Sequence, residues 1–171
     1  NALQTNNPFT YVPTTDDIGH GTFLSGIAAG NTIESENFTG IAPDSELVVV
    51  KLKPAKAYLK KFFRIYPESL AYQENDIMLA IVYLLGVARR LFRPISICLG
   101  IGTSQGGHDE YGNLTRFISN VANRSGIAIS IAAGNEGNTM NHYYGVIDNK
   151  LEFDTVELQV GPDEYGFSME L

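Results

Sequence analysis

Three short apolar runs constrain the fold of this chain more than any other feature. Residues 47–52 (LVVVKL), 95–99 (ISICL) and 127–132 (IAISIA) are rich in Val, Ile and Leu and are bounded by polar or turn-forming segments. Runs this short suit strands buried on both faces of a parallel sheet. Helical patterns lie between them. Residues 75–92 place Ile77, Ile81, Leu84, Leu85, Ala88 and Leu91 on one face at helical spacing, and a shorter pattern covers 113–123. Strand, helix, strand, helix, strand predicts an α/β fold, a doubly wound parallel sheet with right-handed crossovers.

The flanks read differently. Residues 1–18 are a polar amino-terminal connection with Pro8 and Pro13, and Asn1 and Ala2 fit the remnant of an expression tag. Residues 20–31 (HGTFLSGIAAGN) predict a short helix with Phe23, Leu24 and Ile27 on one side and Gly30 and Asn31 as its stop. Small residues at Gly21, Ser25, Gly26 and Ala29 permit close packing against a sheet. After Asn138 the pattern changes to alternation: Val156, Leu158 and Val160, then Tyr165, Phe167, Met169 and Leu171, around the turn signal Gly161-Pro162-Asp163. This predicts an antiparallel hairpin. The organisation expected is therefore a connection at 1–18, a central domain part at 19–140, and the beginning of a β-rich insert at 141–171.

Composition narrows the function classes. A net charge of −7 argues against nucleic acid or an anionic membrane as partner, because those need clustered Lys and Arg. The one basic stretch, between Lys51 and Arg64, is interleaved with Tyr58, Phe62 and Phe63 and reads as a solvated face. A solitary Cys98 excludes an internal disulfide framework. No apolar run is long enough to span a membrane, and the amino terminus lacks a signal-peptide pattern.

The chemistry is concentrated in a few blocks. Gly19-His20-Gly21-Thr22-Phe23-Leu24-Ser25-Gly26-Ile27-Ala28-Ala29-Gly30 closely resembles the histidine motif of subtilases, the subtilisin-like serine proteases of peptidase family S8. A general base must reach a serine hydroxyl with one ring nitrogen while a carboxylate holds the other, so a rigid helix start suits it. Gly40-Ile41-Ala42-Pro43 and the following LVVVKL run resemble the next subtilase block, which is structural. Ser130-Ile131-Ala132-Ala133-Gly134-Asn135-Glu136-Gly137-Asn138 resembles the segment that presents the oxyanion-hole asparagine. The resemblance, in family order from Gly19 to Asn138, implies a three-layer α/β/α subtilisin-like fold and two catalytic residues, His20 and Asn135. It also implies that Cys98, Leu99 and Gly100 pair with an extended peptide substrate, opposite a wall formed by Ala132, Ala133 and Gly134.

Within the family, the tail after Asn138 and the insert at 54–74 resemble the clostridial germination-type subgroup. That subgroup implies an extracellular or spore-associated protein acting on protein or peptide substrates. Some of its members have lost triad residues and serve as regulators, so a non-catalytic, peptide-binding relative is the alternative reading. No Asp-Thr-Gly or Asp-Ser-Gly block precedes His20, and no Gly-Thr-Ser-Met-Ala block follows Asn135. The aspartate and serine of a triad are therefore expected outside these residues, and the chain alone is expected to be inactive.

A rival motif is Gly102-Thr103-Ser104-Gln105-Gly106, which fits the nucleophile elbow of α/β-hydrolases, with Asp109 or Asp148 and His142 completing a triad in the right order. An elbow leads at once into a helix, whereas Ser104 is followed by a polar, glycine-containing stretch. His108 and His142 read as surface histidines. No cofactor is implied; Glu34 and Glu36 lie in a loop where subtilases often hold structural calcium, but their spacing matches no ligand pattern.

Overall fold

Local sequence chemistry explains the helices of the chain, seen in a computed structural model that describes residues 4–103, 106, 111–140, 143–147, 153–161 and 166. The chain divides into two compact units, Asn1–Val49 and Val50–Leu171.

In the first unit, helix α1 spans His20–Ala29, preceded by a 3-10 turn at Pro8–Thr10 and followed by another at Glu34–Glu36. Helix α1 solves the problem of its unpaired carboxyl-terminal carbonyls through the chain that follows it. The loop after Gly30 doubles back through a bridge between Ile33 and Phe38 and a 2.9 Å hydroxyl pair, Thr32 with Thr39. The returning backbone then donates to the helix end: Gly40 N to Gly30 O at 2.9 Å, Ile41 N to Ile27 O at 2.9 Å and Ala42 N to Ala28 O at 2.8 Å. Gly40 has to be glycine, because a Cβ there would lie 2.8 Å from the Gly30 carbonyl oxygen.

The second unit holds α2 (Ala57–Phe62), α3 (Glu74–Leu91), β1 (Ile95–Leu99), α4 (Asn113–Ala122) and β2 (Ile127–Ile131). Glu74 and Asp76 in the first turn of α3 and Arg89 and Arg90 in its last complement the helix dipole. Helix α3 ends where Phe92 turns left-handed at φ 53°, and Arg93 N donates back to Ala88 O at 3.1 Å. That six-to-one bond is a Schellman ending, and Pro94 prevents the helix from resuming.

Strands β1 and β2 pair in parallel, with Ile95 opposite Ile127 and Leu99 opposite Ile131. Ile81 of α3, Ile97 of β1 and Val121 of α4 are buried to 0%, 3% and 2% exposure, and with Ile77 they form the core on one face of this pair. A strand, a crossover helix and a parallel strand confirm the α/β class expected from the sequence.

Several expectations need correction. Residues 47–52 take no regular structure, and among the described residues only β1 and β2 form a sheet. Leu47 and Val49 are more than half exposed, so this run lacks the cover that a central parallel strand requires, and only Leu52 packs against the core cluster. Nor are the strands buried on both faces. Ile95, Ile97 and Leu99 turn toward the helices, while Ser96 and Cys98, like Ala128 and Ser130, are exposed. In α1 the buried residue is Ala29, and Phe23 and Ile27 are exposed. Residues 157–160, the expected first arm of the hairpin, have no regular structure; its second arm lies outside the described residues apart from Gly166.

Candidate active site

His20 is the first residue of α1. The residue before it, Gly19, is left-handed at φ 83°, which an L side chain rarely adopts, and it offers no side chain to cap the helix. Asp16 does so from upstream. Its Oδ1 accepts the N–H groups of Ile18 at 3.2 Å and Gly19 at 2.9 Å. Its Oδ2 accepts the N–H of Thr22 at 3.0 Å and the Thr22 hydroxyl at 2.6 Å. These bonds, led by the Thr22 hydroxyl and followed by the Gly19 and Thr22 amides, hold the Asp16 carboxyl well below the usual carboxylate range. Sequence reasoning passed over Asp16. The signal was present: an aspartate a few residues ahead of an apolar helix pattern is a capping candidate.

In the second unit, the chain continues the ladder past the carboxyl end of each strand. Ala132 N donates to Leu99 O at 3.0 Å, so Leu99's carbonyl is taken up in the sheet. A Cβ on Gly102 would meet the Ala132 carbonyl oxygen at 3.2 Å, which shows how closely the two exit segments run. Cys98, Leu99 and Gly100 are thus brought together with Ala132 at the carboxyl ends of parallel strands, where open α/β sheets gather their ligand sites. Cys98 is exposed, Leu99 and Gly100 are half-buried, and Ala132, Ala133, Gly134 and Asn135 are all exposed.

The segment then makes a tight turn. Gly134 is left-handed at φ 93°, and a Cβ there would lie 2.5 Å from Glu136 Oε2. That same oxygen accepts the backbone N–H of Asn135 at 2.9 Å, while Glu136 O receives Thr139 N at 3.0 Å and the Thr139 hydroxyl at 2.7 Å. Asn135 therefore sits on a turn pinned through Glu136, just past the end of β2.

Comparison with known proteins decides the family. Residues 3–154 match the subtilase family. The chain belongs to the subtilase family. It is similar to the solved structure of the Clostridium perfringens CspB protease, at 28% identity and a TM-score of 0.67 over 81% of this chain. It spans 27% of the length of that protease. No curated protein sequence matches it.

The subtilase assignment bears on the remaining candidates. The α/β-hydrolase reading needed Ser104, and Ser104, His108, Asp109, His142 and Asp148 lie outside the described residues. Glu34 and Glu36 are exposed on their 3-10 turn. Among the described residues no group of His, Cys, Asp or Glu is arranged to hold a metal ion, and no helix is long and apolar enough to cross a membrane. His20 belongs to the first unit, and Asn135 with the strand-exit segments to the second.

Proposed function

We propose that this chain is part of a serine endopeptidase in which His20 is the general base and acid and Asn135 donates to the oxyanion. The observation that carries the reading is the subtilase match over residues 3–154, which includes both blocks in family order. An extended peptide lies along Cys98, Leu99 and Gly100, with Ala132, Ala133 and Gly134 forming the opposite wall. Main-chain hydrogen bonds give affinity there, and the slot between the walls gives selectivity.

The reaction is acyl transfer to water through a covalent intermediate. A serine hydroxyl attacks the peptide carbonyl carbon while His20 takes its proton, and the carbonyl oxygen becomes an oxyanion that the Asn135 side-chain amide stabilises. His20 then gives the proton to the leaving amine as the C–N bond breaks, and water repeats the sequence on the acyl-enzyme. Neither the serine block nor the aspartate block of subtilases occurs in these 171 residues, so this reading requires both to be supplied by other parts of the intact protein.

The test uses the intact protein that contains this chain. His20→Ala is expected to lower kcat for a fluorogenic peptide by about 10⁴- to 10⁶-fold. Asn135→Ala is expected to lower it about 10²- to 10³-fold, a magnitude that comes from subtilisin itself. The 171-residue chain alone should neither hydrolyse peptides nor react with a fluorophosphonate. Intact protein that binds peptides but shows no His20-dependent hydrolysis would point instead to a non-catalytic regulator.

A further inference from the structure

We propose that Asp16 is a positioning residue for His20, clamping the turn on which the histidine enters α1. The inference rests on the proposed role of His20 as general base. Its physical basis is the softness of the chain around that residue. His20 stands between Gly19 and Gly21, and glycine has more backbone freedom to lose than any other residue. A base mounted between two glycines would swing unless something outside the pair restrained it.

Asp16 supplies that restraint from both sides. Oδ1 holds Ile18 and Gly19 ahead of the histidine, and Oδ2 holds the Thr22 amide and hydroxyl behind it. The carboxylate thus bridges across His20 and Gly21, and it satisfies donors at a helix start that has no side-chain cap of its own. The arrangement is exposed, so burial does not enforce it; the four hydrogen bonds do. Asp16 touches neither substrate nor reacting atoms in this account. It acts by holding the imidazole where a serine proton can reach it.

Misplacing a catalytic group by about 1 Å can cost about 10²-fold, so Asp16→Ala in the intact protein should lower kcat by about 10- to 100-fold. KM should stay within about threefold, because the peptide-binding strands are not part of the clamp. Asp16→Asn keeps one oxygen for the Ile18 and Gly19 amides and should recover part of the loss. Thr22→Val deletes only the hydroxyl bond and should cost less than Asp16→Ala. Rates are normalised to folded protein measured by circular dichroism. Folded Asp16→Ala with unchanged kcat, a loss confined to KM, or Asn no better than Ala would each overturn the proposal. Amide exchange at Gly19 and Thr22 gives a readout independent of activity: it should accelerate in Asp16→Ala, and unchanged exchange would show that there is no clamp. Hydrolysis that survives His20→Ala refutes the proposed function and the positioning role together, whereas His20-dependent hydrolysis insensitive to Asp16 refutes the positioning role alone.

Discussion

Gly40→Ala tests the way α1 is closed at its carboxyl end. A Cβ at this buried position would lie 2.8 Å from the Gly30 carbonyl oxygen and 2.9 Å from the Ala29 carbonyl carbon. Both are backbone atoms of the helix end, so no side chain can swing aside to make room. Overpacking of this kind costs about 1–3 kcal/mol if the backbone stays in place. If the segment lifts away, the bonds from Gly40, Ile41 and Ala42 to the helix carbonyls go, at a net loss of about 0.5–1.5 kcal/mol each. The stiffer unfolded chain returns about 0.4–1 kcal/mol in either case. The expected net loss is about 1–3 kcal/mol, read as a fall of roughly 1 M in the urea midpoint for a domain of this size. Gly26→Ala is the internal control. It lies in the same helix with nothing within 4 Å of an added Cβ, so alanine should stabilise it by about 0.5–1 kcal/mol. Hydrogen exchange at residues 40–42 localises the effect, because those amides should lose protection in Gly40→Ala and keep it in Gly26→Ala. Equal midpoints for wild type and Gly40→Ala, with residues 40–42 still protected, would refute the closure described for α1.

Two further outcomes follow from the packing and the charges. Ile81→Ala should cost about 2–5 kcal/mol in chemical unfolding, since Ile81 is fully buried among α3, β1 and α4, whereas Leu79→Ala on the same helix, 65% exposed, should stay within about 0.5 kcal/mol. Asp16 makes the first turn of α1 sensitive to acid: its folded pKa is depressed below the unfolded value of about 3.9, so its contribution is complete above about pH 4 and disappears as pH falls through the lower folded value. Carboxyl carbon shifts followed by NMR should place its titration below the normal carboxylate range, and titration near pH 4 would contradict the bonding described for Asp16.

The parts of the fold that were legible in the sequence are those fixed by neighbouring residues. Helix α3 was expected over 75–92 and spans Glu74–Leu91, because a long apolar stripe with a proline just beyond its end leaves little choice. The 47–52 run misled because apolar composition measures a preference for burial, while strand formation also needs a paired edge, which the sequence does not display. The strand faces were in fact legible. Ile-Ser-Ile-Cys-Leu and Ile-Ala-Ile-Ser-Ile alternate large with small residues, and that period of two already says that the large side chains share one face.

The candidate site divides along the same line. Around His20 the restraints described above are local: Asp16 lies six positions from Thr22, and the chain that closes the far end of α1 follows it directly. Such restraints leave sequence signatures, and an aspartate four residues ahead of the helix start at His20 is one of them. Around Asn135 the restraints mix distances. The Glu136 carboxylate that pins the turn is its neighbour, but the strand that carries the turn is held by β1, whose residues lie far back in the chain. No local pattern encodes that pairing, so the approach of the segment leading to Asn135, through Ala132, to Leu99 could be inferred only through family resemblance. A histidine held by its own neighbours and an asparagine held by a distant strand are therefore exposed to different mutations. Changes at Asp16 or Gly40 act on the first, and changes at Ile81 or Ile97, which carry the sheet, act on the second.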